Sequence, residues 1–268
     1  MPIHTEISPS EPVGCDTRET KKPRIALVTG AAAGIGFATT KLLVRNGYVV
    51  VMADRDAAAL AAAAAELPAA ASMTIAIDVA EHGAAAEIDQ AIRKRFEPVS
   101  ILVNNAGISP KHSGKPAAVL EVSLDEWEMV LKVNLTAPLI LCKQFLPAMI
   151  ERGWGRIINM SSLVGRTRAL TNGAAYATSK SGILGLTRHM AAVYARFGVT
   201  SNAVAPGRVR TALSEAGPQA ESNYAQLAPV GRIGRPEEVA AAIAFLASED
   251  AGFINGAVID VNGGIAML

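Results

Sequence analysis

From Arg24 onward, short apolar runs alternate with longer stretches whose apolar positions recur with helical period. Residues 25–28 form the first run and lead into a glycine-rich turn. A helical pattern follows from Gly34 to Asn46, with Ile35, Leu42 and Leu43 on one side and Gly47 as its stop. Residues 49–52, 73–77 and 101–103 read as further strands. Between them, helices are predicted over 56–66, ended by Pro68, and over 81–96. Ser123 opens a long helix with capping-box spacing to Glu126; it runs to about Glu151 and takes Pro138 and Pro147 as kinks. Strand 156–160, helix 173–197 and strand 199–204 come next. Residues 211–235, rich in Gly, Pro, Ser and Gln, read as irregular. Pro236 starts a last helix in its first turn, and residues 257–260 form a last strand.

Strands apolar on both sides, separated by helices, predict a parallel sheet covered on both faces. The expected fold is α/β: one domain over 24–268, a doubly wound parallel sheet of about seven strands with helices on both faces. Residues 1–23, with four prolines among Ser, Thr and mixed charges, read as a flexible tail. Half of the 268 residues are apolar and 18% are charged, which excludes a disordered chain. The net charge of +1 gives no reason to expect a nucleic-acid partner. Cys15 and Cys142 do not make a disulfide framework. His4, His82, His112 and His189 lack ligand spacing, so no metal is expected, and no G-x-S-x-G elbow points to a hydrolase. No basic leader precedes an apolar stretch, and no apolar run reaches the ~20 residues of a spanning helix, so a cytoplasmic location is expected.

The turn after the first strand reads Thr29-Gly30-Ala31-Ala32-Ala33-Gly34-Ile35-Gly36 and opens a helix. Glycines permit a tight turn and close approach of a pyrophosphate, and the helix N-terminus supplies free N–H groups. Eighteen residues past Gly36, at the end of the second strand, stands Asp54. A carboxylate there binds both hydroxyls of an adenosine ribose and repels a 2′-phosphate, which favours NAD over NADP. Arg55 can meet a 2′-phosphate, but Asp54 opposes it.

With these residues in hand, residues 24–268 resemble the classical short-chain dehydrogenases/reductases. The glycine turn matches TGxxxGxG, Asn104-Asn105-Ala106-Gly107 matches NNAG, and Tyr176 to Lys180 matches YxxxK. Asn134 lies within the long helix, and the segment from Pro206 to Thr211 matches PGxVxT. The resemblance implies a Rossmann fold and hydride transfer between a secondary alcohol or ketone and a nicotinamide cofactor. Tyr176 is the implied proton donor and acceptor. Lys180, four residues on and on the same helix face, is expected to lower its pKa. Ser162 is the implied substrate hydrogen bonder; Ser161 is its rival, and Ser162 is preferred because it begins a Ser-Leu-Val-Gly turn. Asn134 is implied to hold a water linking Lys180 to solvent, helped by Pro138, which cannot donate to the Asn134 carbonyl. The implied cofactor contacts are Gly30, Ala33, Gly34, Ile35, Gly36, Asp54, Arg55, Asp78, Val79, Asn105, Ala106, Gly107, Tyr176, Lys180, Pro206, Gly207, Val209 and Thr211. Asn104 is expected to brace the turn after its strand.

Segment 211–235 is expected to be a lid, with Leu213, Tyr224 and Leu227 on its inner side. Helices 123–151 and 173–197 are the implied interface of a homotetramer, with Leu141, Val193 and Phe197 suited to it. Related sequences act as 3-oxoacyl-acyl-carrier-protein reductases or as polyol and sugar dehydrogenases. The biosynthetic reductases carry Arg where this chain has Ala33, so NAD-linked oxidation of a polyol, sugar-derived or hydroxyacyl substrate is the favoured reading. An NADPH-dependent 3-oxoacyl-thioester reductase is the alternative. A dinucleotide-binding regulator without turnover is a reading of another class. Arg166, Arg168 and Arg208 are candidates to meet an anionic substrate.

Overall fold

The structure, a computed structural model, describes residues 23–168, 172–211 and 217–268. The expected tail lies outside the described residues except for Pro23, and so does Leu213. Seven strands form one parallel sheet: β1 (Ile25–Thr29), β2 (Val49–Asp54), β3 (Ser72–Ala76), β4 (Ile101–Asn104), β5 (Gly155–Met160), β6 (Val199–Pro206) and β7 (Val258–Val261). Their order is β3-β2-β1-β4-β5-β6-β7. The helices are α1 (Gly34–Arg45), α2 (Ala57–Ala65), α3 (Ala84–Arg93), α4 (Leu124–Leu131), α5 (Ala137–Glu151), α6 (Ala174–Tyr194), α7 (Gly217–Leu227) and α8 (Pro236–Leu246).

Period-2 alternation in the strands builds two cores. Ile25, Leu27, Val49 and Val51 point to one face, where they meet Ile88 and Ile92 of α3 and Leu141, Phe145 and Met149 of α5. Ala26, Val28, Val50 and Met52 point to the other, against Leu43 of α1, Leu60 of α2 and Val239 and Ile243 of α8. The stretch Leu124–Glu151 is long and apolar enough, by length and composition alone, to cross a membrane. Its Leu141, Cys142, Phe145 and Met149 are buried in the core, which accounts for that composition. Leu141 is therefore a core residue and not an interface residue; Val193 is exposed and Phe197 half-buried.

Three expectations change. The predicted long helix is not one α-helix with proline kinks: Lys132–Thr136 forms a π turn, joined by the Ala137 N–H donating five residues back to Lys132. Pro138 sits in the first turn of α5, so the missing N–H falls where the ladder is already re-phased. Ser123 caps α4 by accepting from the Glu126 N–H at 3.1 Å, but the Glu126 carboxylate turns to His112 Nε2 at 2.5 Å and does not close a capping box. Finally, segment 211–235 is not irregular throughout, because it contains α7. Proline near the start of that helix is compatible with its first turn, and its weak apolar periodicity hid it.

Phe145 is among the largest fully buried side chains and touches the sheet from α5. Phe145→Ala should cost about 3–5 kcal/mol, read as a lower denaturation midpoint with the far-ultraviolet circular dichroism of the native state retained.

Candidate active site

β1 and β4 are neighbours, yet the chain leaves their carboxyl ends in opposite directions, toward β2 and toward β5. The crevice this opens is where doubly wound sheets bind ligands. One hydroxyl holds its two lips. Thr29 Oγ1 accepts from the N–H groups of Asn105 and Ala106, both at 3.0 Å, and donates to the Val103 carbonyl at 3.3 Å. Asn105 Nδ2 returns the contact, donating to the Thr29 and Gly30 carbonyls at 2.9 and 3.0 Å. Gly30 has φ +64°, and a Cβ there would lie 2.9 Å from Ala106 Cα. A Cβ on Gly36 would lie 2.0 Å from the Gly30 carbonyl oxygen, so α1 can begin this close to the turn only with glycine.

A groove runs over this turn. Of the expected cofactor residues, Gly30, Ala33, Gly34, Ile35, Asp54, Arg55, Asp78, Val79, Asn105, Ala106, Gly107 and Thr211 line it. Gly36 lines neither cavity of the site and serves the turn itself. The Asp54 carboxylate is fixed by two backbone donors, Ala32 N–H at 3.0 Å and Asp56 N–H at 3.1 Å. Asp78 Oδ1 accepts from the Ala80 N–H at 2.9 Å. Ile77, Ile108 and Val133 also line the groove; sequence reading missed them because they are plain apolar residues outside any motif.

The groove continues into a chamber lined by Ser162, Tyr176, Lys180, Pro206, Gly207 and Val209, with Ile35, Asn105, Gly107 and Thr211 common to both. Ser162 stands extended at the start of a short turn, Leu163–Gly165. A Cβ on Gly165 would lie 2.4 Å from the Lys180 carbonyl oxygen, so this turn docks directly on α6. The two serines separate cleanly. Ser161 Oγ donates to the Lys180 carbonyl at 2.7 Å, whereas the Ser162 hydroxyl hydrogen-bonds Tyr176. Lys111, Asn172 and Tyr224 also line the chamber; Tyr224 belongs to the expected lid, while Leu227 is 72% exposed and does not face inward.

Tyr176 departs from the expectation for its pKa. Burial pushes the phenol above its ordinary value, and the Ser162 hydrogen bond only partly opposes that. Burial also holds Lys180 down, at about 8. Its Nζ donates to the Met160 carbonyl at 2.7 Å and lies 5.7 Å from the Tyr176 ring centre. Asn134 is buried in the π turn, and its side chain is already engaged. Nδ2 donates to the Ile108 carbonyl at 2.9 Å and to Ser179 Oγ at 3.1 Å, while Oδ1 accepts from the Ile108 N–H at 2.8 Å. It thereby ties the loop after β4 to α6. Asn104 does more than brace a turn: its Nδ2 donates to Asn159 Oδ1 at 2.8 Å, and Asn159 donates on to Thr187 of α6 at 3.0 Å. Arg166 is paired with Asp260, Arg208 lines the chamber, and Arg168 lines neither cavity.

A lysine whose folded pKa is about 8 against an ordinary 10.5 binds fewer protons folded than unfolded between those pH values. Stability therefore rises with pH across that window, by about 3 kcal/mol in all. Denaturation of the wild type and of Lys180→Met should diverge in this sense between pH 8 and 10.5 and run parallel below pH 7.

A family profile described as Enoyl-(Acyl carrier protein) reductase matches residues 30–266. The cis-4-hydroxycyclohexanecarboxylate dehydrogenase of Sinomonas cyclohexanicum is 38% identical, over 90% of this chain and 96% of its own length. The 3-oxoacyl-[acyl-carrier-protein] reductase of Aquifex aeolicus is also 38% identical, over 90% of this chain and 97% of its own. The crystal structure of a 3-oxoacyl-[acyl-carrier protein] reductase with bound NAD from Brucella melitensis superposes with a TM-score of 0.85 at 34% identity, covering 96% of this chain and 99% of that one. Motifs, sheet order and relatives agree: the chain belongs to the short-chain dehydrogenase/reductase family, oxidoreductases that act on CH–OH groups with a nicotinamide cofactor.

Proposed function

We propose that this enzyme oxidises a secondary alcohol to a ketone with NAD, and that the alcohol is a polyol, a sugar-derived compound or a hydroxyacyl compound. The observation that carries the reading is the junction of groove and chamber, where the Ser162 hydroxyl meets the Tyr176 phenol with Lys180 buried behind them. The residues suit a dinucleotide. The groove combines a positive-φ glycine turn, a helix N-terminus and a carboxylate fixed where an adenosine ribose would lie. Asp54 supports NAD over NADP, because a 2′-phosphate would meet that charge and the loop offers Ala33 and no cation. When bound, the nicotinamide takes up the hydride.

The chain's own residues handle the proton. Ser162 orients the substrate oxygen, and Tyr176 accepts the alcohol proton as general base. Because burial alone raises the Tyr176 pKa, the phenolate depends on nearby positive charge, which the Lys180 ammonium supplies at neutral pH. Asn134 acts through its backbone: with no N–H on Pro138, its carbonyl can hold a water that passes the proton from Lys180 to solvent. Segment 211–235, with Tyr224 on the chamber wall, forms the lid. The exposed Leu139, Ile140 and Val193 on α5 and α6 support a homotetramer built through those helices, and a cytoplasmic location is part of the same proposal.

Tyr176→Phe should lower kcat by about 10²–10⁴-fold while NADH affinity, read by nicotinamide fluorescence, is retained. A wild type without turnover on a broad alcohol and ketone panel would instead mark a dinucleotide sensor. Asp54→Ser should reduce the NAD-over-NADP ratio of kcat/KM by roughly 10–100-fold, as expected for losing charged hydrogen bonds. An unchanged ratio would overturn the cofactor assignment.

A further inference from the structure

Tyr224, on α7, lines the chamber together with Ser162 and Tyr176. Its hydroxyl has one of its roles fixed by the backbone. It accepts from the Arg208 N–H at 2.7 Å, and a backbone N–H can only donate. The turn that presents this N–H is held on both sides. The Gly207 N–H donates to the Val261 carbonyl at 3.0 Å, and the Arg208 carbonyl accepts from the Gly234 N–H at 2.9 Å. A Cβ on Gly207 would lie 2.4 Å from the phenol oxygen, so Tyr224 can seat on this turn only because the residue is glycine.

A phenol has a single hydrogen to donate. With its oxygen held as an acceptor by Arg208, the Tyr224 O–H meets no acceptor among the described residues. The Arg208 guanidinium interacts with the phenol but offers donors only. Tyr224 also borders a smaller cavity, whose acceptors are engaged elsewhere. There the Glu238 carboxylate accepts from Arg232 and from the Arg235 N–H, and Asn262 Oδ1 accepts from the Gly264 N–H. Gly207, against which the hydroxyl packs, lines the chamber and not that second cavity. Burial pushes the phenol above its ordinary value, so it keeps its proton at neutral pH. An uncommitted donor at a fixed place on the chamber wall is a feature that a substrate can satisfy.

We infer that Tyr224 determines substrate choice by donating a hydrogen bond to a second oxygen of the substrate, while the carbinol oxygen stands at Ser162 and Tyr176. This rests on the dehydrogenase reading above and narrows its substrate class. The alcohol carries a further hydroxyl or carbonyl oxygen, which a polyol, a sugar-derived compound or a hydroxyacyl compound has and a simple secondary alcohol lacks. A substrate without that oxygen leaves the phenol's donor unpaired as it displaces water from the chamber, and the site discriminates against it.

The test compares alcohols that differ in the second oxygen, with NAD and with NADP: butane-2,3-diol against butan-2-ol, cyclohexane-1,2-diol against cyclohexanol, and methyl 3-hydroxybutyrate against hexan-2-ol. Wild type and Tyr224→Phe are measured side by side, and calorimetric binding of the same compounds to the NADH-loaded proteins runs in parallel. Retained NADH affinity reports a folded groove in the variant. In the wild type the kcat/KM ratio within each pair should favour the compound with two oxygen functions. In Tyr224→Phe that ratio should fall by roughly 3–10-fold through KM, the scale of one neutral hydrogen bond. Loss of the lid's anchor on Arg208 alone would shift both members of a pair alike, so the ratio isolates the hydrogen bond donated to substrate. A wild type that uses both members equally, or a ratio that Tyr224→Phe leaves unchanged, would overturn the inference while the dehydrogenase reading stands. Binding that prefers the second oxygen and loses the preference in Tyr224→Phe, with no turnover by either cofactor, would support the inferred contact and overturn the dehydrogenase reading. Neither turnover nor oxygen-dependent binding across the panel would overturn both.

Discussion

The whole site hangs on how the ends of β1 and β4 are held apart and yet locked together. Two adjacent parallel strands whose chains depart in opposite directions leave a crevice lined by unpaired backbone groups. Thr29 and Asn105 satisfy part of that demand with their own side chains, and do so across the crevice. The glycine turn can then be strained and open without being loose. Asp54 extends the same logic to the next strand, since its carboxylate is held by the backbone of the turn it faces. The glycine turn, the Asp54 carboxylate and the chamber entrance share one edge.

Most of the fold was legible because its strands are apolar on both faces and its helices are bounded by Gly, Pro and Asp signals. Seven strands stand where the apolar runs are, and the β1–α1 turn stands where its glycines are. What escaped was set by partners distant in sequence. Glu126 has the spacing of a capping box but meets His112, which only the folded loop brings near. Leu141 looks like any apolar helix position until Phe145 and the sheet enclose it. The preference for Ser162 over Ser161 came from the Ser-Leu-Val-Gly spacing, but that the Lys180 carbonyl of α6 claims the Ser161 hydroxyl is a fact of packing that no spacing carries. Helix α7 lacks a strong apolar stripe, because it packs on one turn and not on the core.

Lys180 illustrates the cost of such a site. An ammonium enclosed by protein, with the Met160 carbonyl as its hydrogen-bond acceptor, is destabilising to the fold by the same desolvation that lowers its pKa. The surrounding structure compensates with neutral polar groups hydrogen-bonded to one another. Asn104, Asn159 and Thr187 form one buried chain beneath α6, and Asn134 and Ser179 form another beside Tyr176. These networks fix the helix that carries the proton chemistry, so the stability lost at one position is offset by order around it.

The π turn at Lys132–Thr136 has a consequence for how this chain can vary in length. A π turn holds one residue more than the α-helix it interrupts, and one residue is about 100° of helix rotation. The apolar stripe of α4 and that of α5 are therefore out of phase by a residue, and each is correct for its own neighbours. Removing one residue between Leu131 and Ala137 would restore a regular α-helical register, interrupted only by the missing N–H groups of Pro138 and Pro147. It would also swing Phe145 and Met149 out of the sheet's core, or else Asn134 away from Ile108. The irregular register is thus the one in which both the core and the site can be assembled, and a length change that most surface loops absorb is closed to this helix.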